Sequence, residues 1–160
     1  MPISLTSSLE HVAWAERAFY AQLASVPEEL YSASYADPEW NVAHIASHIA
    51  SGATWYEFCL TGVDHDVPLA PQSREEMAVL GEFLTARTLV LVQQTQLDDE
   101  VLHVVAPGEE FEVRRSTLLI QAVHHSVEHR AHIASALEAH GYRGMDLDAI
   151  DAWAFAAGTN

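Results

Sequence analysis

The fold of this chain is decided by the stretch His124-His-Ser-Val-Glu-His129-Arg130, which lies within a long region of helical apolar spacing. On an α-helix, side chains four positions apart lie on one face, about 5–6 Å from each other. His125 and His129 can therefore present two imidazoles to one ion. The same spacing occurs in Asn41-Val-Ala-His-Ile-Ala-Ser-His48. Two predicted helices thus each carry a histidine pair.

His48, on a separate helix, can complete a facial trio with His125 and His129. Three neutral imidazoles that leave one coordination position open are typical of a catalytic zinc site. We therefore predict a divalent metal site, with zinc as the expected ion and nickel as the alternative for an imidazole-only ligand set. The competing explanation is chance, because a chain of 160 residues with ten histidines produces some pairs at this spacing.

The surroundings of the histidines favour the metal. In the helix predicted around His125 and His129, the histidines interrupt an apolar stripe that runs from Leu118 to Ala136. Burial strips water from the imidazoles, and buried polar groups are costly unless they find a partner. A metal ion or good hydrogen-bond partners are therefore expected at these positions.

Helical periodicity and capping signals together predict an all-α four-helix bundle, formed by a single domain over residues 1–160. The connections are too long for tight hairpins between helices. A short hairpin before the last long helix and a short amphipathic helix within Asp146–Ala157 complete the prediction. The long helices are expected from Ser7 to about Ser25, from Asp37-Pro38 or Asn41 to about Leu60, from Ser73 to just before Asp98, and from about Ser116 to His140, with the hairpin strands at Val101–Ala106 and Glu112–Arg114.

Three further residues in the predicted helices require interpretation. Glu16 falls within the apolar stripe of the first helix, where the commonest explanation is an error of register. The alternatives are an arginine partner or a position facing a polar centre. Gly52 lies one turn beyond His48 and either leaves space beside an ion or serves helix packing. Cys59 is about 16 Å along the axis from His48 and is expected in the core.

Composition excludes several classes of function. The chain has 23 acidic residues, seven arginines, no lysine and a formal net charge of −16. This charge repels phosphate backbones and anionic membrane surfaces, so neither nucleic acid nor a membrane is an expected partner. No apolar stretch is long enough to span a bilayer, and no signal peptide is indicated. With a single cysteine, a cytoplasmic protein is expected.

With these features, the chain resembles the DinB-like (DinB/YfiT) family of metal-binding four-helix bundles. The histidine helix is the most specific match, although it departs from the family pattern at Glu128, Ala131 and His132. The matching segments are Leu9–Glu16, Pro38–Ala50, His125–Ile133 and Tyr142–Trp153.

The resemblance implies that His48, His125 and His129 are the metal ligands. It also implies a small-molecule substrate, because characterised members include S-transferases and isomerases that use low-molecular-weight thiols such as bacillithiol or mycothiol. Members are often homodimers. Trp14 and Ala18 lie off the main stripe of the first helix, so we expect apolar surface there for a second copy.

Two functions remain open. The first is a metal-dependent enzyme, either a thiol S-transferase or a hydrolase. Glu16, Glu128 and His132 are its candidate acid–base groups, and His44 is a candidate for orienting one of the metal ligands without binding the ion itself. Arg130 is a candidate for attracting an anionic thiol. The second function is a non-catalytic protein that binds or senses a metal or a small ligand.

Overall fold

The structure, a computed structural model, describes residues 4–158. Helices form most of this part of the chain, and two short strands form an antiparallel hairpin between the third and fourth long helices. The elements are α1 (Leu5–Leu23), α2 (Val42–Thr61), α3 (Arg74–Gln94), β1 (Val101–Ala106), β2 (Glu109–Arg114), α4 (Arg115–Ala139) and α5 (Ala152–Gly158), with short 3₁₀ turns at Glu28–Ser32 and Asp148–Ile150.

Polar side chains set where α2 and α3 begin. The Asn41 side chain accepts a hydrogen bond of 3.0 Å from the backbone N–H of His44, so Asn41 is the N-cap of α2 and the alternative start at Asp37-Pro38 is wrong. The Ser73 side chain accepts from the N–H of Glu76 and caps α3 as expected. The predicted cap at Ser7 is wrong, because Ser4 caps α1 and the helix begins at Leu5.

The four long helices pack on one another along their apolar faces. α1 contacts α3 and α4, and α2 contacts the same two helices. The larger core cluster includes Phe19, Ile45 and Ile133, all of them fully buried or nearly so. Cys59 lies in the second cluster and is buried, so its expected place in the core is confirmed. The contact between α2 and α4 brings the two histidine-bearing helices together.

The hairpin before α4 is confirmed, although its second strand is longer than predicted. Val101 pairs with Arg114 and Ala106 with Glu109, and the connecting Gly108 has a φ of 87°. This left-handed conformation favours glycine. The structure is therefore mainly helical with one small sheet, and the all-α class was wrong in that respect.

The apolar surface expected on α1 is partly covered by the chain itself. The Trp14 ring lies 5.5 Å from the Phe155 ring of α5, between centroids. Ala18 packs against the main core. Both residues are half-buried, so they leave less apolar surface for a second copy than expected. Among residues 4–158, the helices are all too short or too polar to cross a membrane.

Candidate metal centre

Three histidines converge between α2 and α4. His48 comes from α2, while His125 and His129 come from successive turns of α4. One ring nitrogen of each residue can face a common point, and these nitrogens all lie within 4.8 Å of one another. The Nε2 atoms of His48 and His125 are 2.9 Å apart. The structure thus brings together the three residues that the sequence singled out.

Gly52 makes room for His125. A Cβ atom built on Gly52 would lie 2.5 Å from Cε1 and 2.8 Å from Nδ1 of His125. Both separations are shorter than real Cβ contacts. Of the two explanations offered for this glycine, the structure shows packing between helices, because the His125 ring of α4 fills the space that a side chain would take. Any side chain at this position has to displace the His125 ring.

Trp40 forms a wall of the centre that the sequence reasoning missed. Its ring centroid lies 4.9 Å from that of His48 and 5.6 Å from that of His129. Trp40 directly precedes Asn41, the N-cap of α2, which fixes where the indole enters. An aromatic residue one position before a helix cap was the available signal, although it also fits ordinary packing.

The histidines lie in surroundings that favour the neutral imidazole. Burial, together with the neighbouring His129 and His48, lowers the pKa of His125 to about 4. Burial also lowers the pKa of His129 to about 4, with His48 and His132 acting in the same direction. The pKa of His48 is lowered by burial and by His44. Neutral imidazole is the form that binds metals, so these rings are ready to act as ligands at neutral pH.

This donor set fits a divalent ion such as zinc. Zinc–nitrogen bonds are about 2.0–2.1 Å long, so two ligands of one ion can lie up to about 4.2 Å apart. The nitrogens of His48, His125 and His129 lie within 4.8 Å, so small ring rotations suffice to place all three on one ion. Three imidazoles leave a fourth position of a tetrahedral ion open to a ligand.

The other candidates take different positions around the trio. The Nδ1 atom of His132 lies 3.2 Å from Nδ1 of His129, which leaves Nε2 of His129 free for an ion. Glu128 is exposed, and its charge acts on His129. His44 is also exposed, and its ring contacts Trp40 at 5.0 Å between centroids.

Glu16 belongs to a buried polar cluster, and α1 is in the predicted register. Its carboxyl group accepts hydrogen bonds of 2.7 Å from Thr88 on α3 and 2.9 Å from Ser126 on α4. The positive charge of Arg130 favours the ionised form, but burial outweighs these effects and raises the pKa of Glu16 to about 7. Arg130 itself is buried beside this cluster, so its expected role in attracting an anionic thiol was wrong.

The raised pKa of Glu16 predicts a pH dependence of stability. The carboxyl group titrates near 4.5 when the chain is unfolded and near 7 when it is folded. The folded state therefore holds the proton more tightly, and the stability that this group contributes falls as the pH rises from about 4.5 to 7. At about 1.4 kcal/mol for each pKa unit, the total reaches about 3 kcal/mol. A Glu16→Gln variant lacks this loss.

The measurement is urea unfolding of metal-free wild type and Glu16→Gln at several pH values. The free energy of unfolding of the variant, relative to that of wild type, should rise by about 3 kcal/mol as the pH increases from 4.5 to 8. The difference between the two proteins matters, because His125 also lines the narrow space beside Glu16 and titrates with the opposite effect on stability. Tyr56 lines the same space. Glu10→Gln, an exposed change on the same helix, is the control; parallel profiles for wild type and Glu16→Gln would contradict the assignment.

The mainly helical fold and the three histidines that converge between two long helices place this chain among candidate metal-binding helical proteins. Within this class, the model of the DinB family matches residues 1–156, and the chain belongs to that family. It is 26% identical over 150 residues to Protein DinB of Bacillus subtilis (strain 168). The aligned region covers 87% of this chain and 87% of that protein. No solved structure matches the chain significantly.

Proposed function

We propose that this chain is a metal-dependent enzyme that binds one divalent ion through His48, His125 and His129 and transfers a low-molecular-weight thiol to an electrophile. The observation that carries the proposal is the convergence of three imidazole nitrogens within 4.8 Å of one another. Zinc is the proposed ion, with nickel as the alternative, and bacillithiol or mycothiol is the proposed thiol. The lowered pKa of His125 and His129 supports the proposal, because it keeps both rings unprotonated.

The proposal extends to the architecture. We infer that the four long helices form a four-helix bundle, that residues 1–160 are one domain, and that the protein is a cytoplasmic homodimer. Pairwise contacts of α1 and α2 with α3 and α4 support the bundle. The single cysteine supports the location. The dimer rests on family resemblance, since Trp14 is covered by α5.

A divalent ion with an open position lowers the pKa of a thiol or water that binds there. The residues of this chain supply the remaining parts. His132 orients the His129 ring through their Nδ1 atoms, 3.2 Å apart. Such a partner fixes the tautomer of a ligating histidine. Trp40 excludes water from the side of the trio that it covers.

His132 is also the preferred group for moving a proton. It is exposed at the site, so it can exchange protons with solvent. Glu128 is the alternative, because it is exposed and its charge reaches His129. Glu16 is the least suitable of the three, since it is 2% exposed and already accepts two hydrogen bonds.

The experiment is a screen of zinc-loaded protein with bacillithiol, mycothiol and glutathione against a chromogenic electrophile, with metal content measured on the same samples. We expect alanine at His48, His125 or His129 to abolish both metal binding and turnover. Alanine at Glu128 should keep the ion, and alanine at His132 should keep it at saturating zinc despite an affinity lowered by about 10–100-fold. Loss of turnover in a variant that is loaded with metal should identify the proton-transfer group. A variant that lacks the metal yet reacts at the wild-type rate would contradict the proposal.

The same screen separates the alternatives. Metal-dependent cleavage of an ester without thiol transfer would replace the transferase with a hydrolase. Tight binding of a small ligand at the metal, without turnover of any thiol or ester, would replace it with a non-catalytic binding or sensor protein.

Removal of the ion should lower thermal stability without unfolding the chain. A ligand that binds only the folded state stabilises it by about 2.7 kcal/mol at a hundredfold excess over its dissociation constant. The core of the protein does not depend on the ion, because it is built from apolar residues of all four long helices. Thermal unfolding with and without a chelator measures the change. A chain that is unfolded at room temperature after chelation would show a structural rather than a catalytic metal.

A further inference from the structure

A cavity of about 440 Å³ lies directly beside the candidate metal centre. Two of its lining residues also touch the histidine trio. Trp40 contacts His48 and His129 through its ring, and Nδ1 of His132 lies 3.2 Å from Nδ1 of His129. A molecule in this cavity therefore sits against the same two side chains that border the centre. The volume falls within the range of about 300–1,000 Å³ that is common for small-molecule sites.

The walls of this cavity favour a flat apolar group. Trp40 and Tyr35 contribute aromatic rings, and Ile45 and Ala136 contribute buried aliphatic surface. Tyr35 is 75% exposed, so its ring is available to a ligand. Aromatic rings gain from offset or edge-to-face contact with one another, beyond the burial of their area.

The charges around the cavity disfavour an anion. Asp37 is the one carboxylate among the lining residues, and neither arginine nor lysine is among them. The chain as a whole carries a formal net charge of −16. Arg130 lies between His129 and His132 in the sequence of α4. Its side chain is buried beside Glu16 and does not line the cavity, so it cannot contact an anion there. A negatively charged group placed here would meet Asp37, and no arginine or lysine of the cavity wall offsets that repulsion.

We propose that this cavity is an aryl subsite, defined by Tyr35, Trp40, His132 and Ser135, that binds the uncharged aromatic part of the electrophilic substrate beside the three histidines. The assignment of this group to a substrate rests on the proposed function. The binding itself does not, since it follows from the walls of the cavity. The substrate class is thereby narrowed to electrophiles that carry a neutral aryl group.

The test measures, by calorimetry, the binding of two matched probes to the metal-free protein, so that no bound ion attracts the anion: 2-naphthalenemethanol, which is neutral, and 2-naphthalenesulfonate, which is an anion. We expect the neutral probe to bind at least about tenfold more tightly. Ser135 is an exposed helical residue at the edge of the cavity, so Ser135→Leu should fill space without disturbing the core. This variant should weaken the neutral probe by at least about tenfold while its metal content stays at the wild-type level.

Ala86→Leu is the matched control, because Ala86 is an exposed residue of α3 and does not line the cavity. It should leave binding unchanged. Equal affinity for both probes, or equal loss in Ser135→Leu and Ala86→Leu, would overturn the subsite. Thiol-transfer assays with aryl and alkyl electrophiles separate this proposal from the proposed function. Probe binding that is weakened in Ser135→Leu, without turnover of any electrophile, would support the subsite and reject the transferase. Thiol transfer to aryl electrophiles at the same rate in Ser135→Leu and wild type would support the transferase and reject the subsite.

Discussion

Alanine at His48, His125 or His129 is expected to eliminate stoichiometric metal binding. Within residues 4–158, these three rings form the group that can hold an ion, so each substitution leaves the ion with two of these ligands. Loss of a residue that only supports a ligand typically costs about 10–100-fold in affinity. Loss of a ligand itself should therefore cost more than about 100-fold. Elemental analysis after gel filtration, followed by titration of the metal-free protein, measures both occupancy and affinity.

His124→Ala is the matched control for these variants. His124 directly precedes His125 on α4 but is exposed and outside the trio. It should keep the metal content of wild type. His140→Ala should do the same, since this ring bonds to the backbone oxygen of Ser34 at the far end of α4. Full metal content in all three triad variants would reject the site, provided that circular dichroism shows them folded.

Gly52→Ala is expected to remove most of the metal affinity without loss of the fold. The new Cβ atom would lie 2.5 Å from Cε1 of His125, so the imidazole has to leave its place in the trio. The ring is the end of a side chain and can rotate away, which keeps the backbone intact. Alanine also improves helix propensity by up to about 1 kcal/mol over glycine. We expect a fall in affinity of at least about tenfold, with little change in the melting temperature of the metal-free protein.

Ser51→Ala provides the control for Gly52→Ala. It also raises helix propensity, by less than Gly52→Ala does, and it lies one position earlier on α2, where the side chain contacts His65 and not the trio. Affinity should match wild type. If Gly52→Ala binds the ion as tightly as wild type, the His125 ring does not bind the ion from its place against Gly52, and the proposed geometry of the centre is wrong.

Local signals in the sequence predicted most of the helices. Caps at Asn41 and Ser73 act through hydrogen bonds to nearby backbone, so their effect is visible in a few residues. Gly62, two residues after the predicted end of α2 at about Leu60, ends this helix with a φ of 76°. The start of α1 was wrong because Ser4, like Ser7, has a side chain that can cap a helix, and the helix begins at Leu5, which packs against the second core cluster.

Contacts between residues far apart in the sequence could not be predicted from the spacing of residues alone. Glu16 was interpreted as an error of register, since its partners Thr88 and Ser126 lie far away in the sequence. The contact of Trp14 with Phe155 joins the two ends of the described chain, so Trp14 is less exposed than the sequence suggested. Such pairings depend on the topology, which periodicity does not encode.

The candidate site could be predicted from the sequence only in part, because local spacing fixes some of its residues and tertiary packing fixes the others. The spacing of His125 and His129 places them on one face of a helix whatever the fold. The convergence of His48 with them depends on how α2 packs on α4, and the resemblance to a known family supplied that step. Trp40 went unnoticed because an aromatic residue before a helix cap has no distinctive spacing. That these histidines bind an ion stays a prediction.

X-ray absorption at the metal edge of the purified, zinc-loaded protein tests this claim most directly. The ligands in the first shell are read from their distances and from the scattering pattern of imidazole rings. We predict three imidazole nitrogens at about 2.0–2.1 Å, one further light atom, and no sulfur from the protein. A shell with fewer than three imidazoles, or one that is unchanged in His125→Ala, would contradict the assignment of His48, His125 and His129 as the metal ligands.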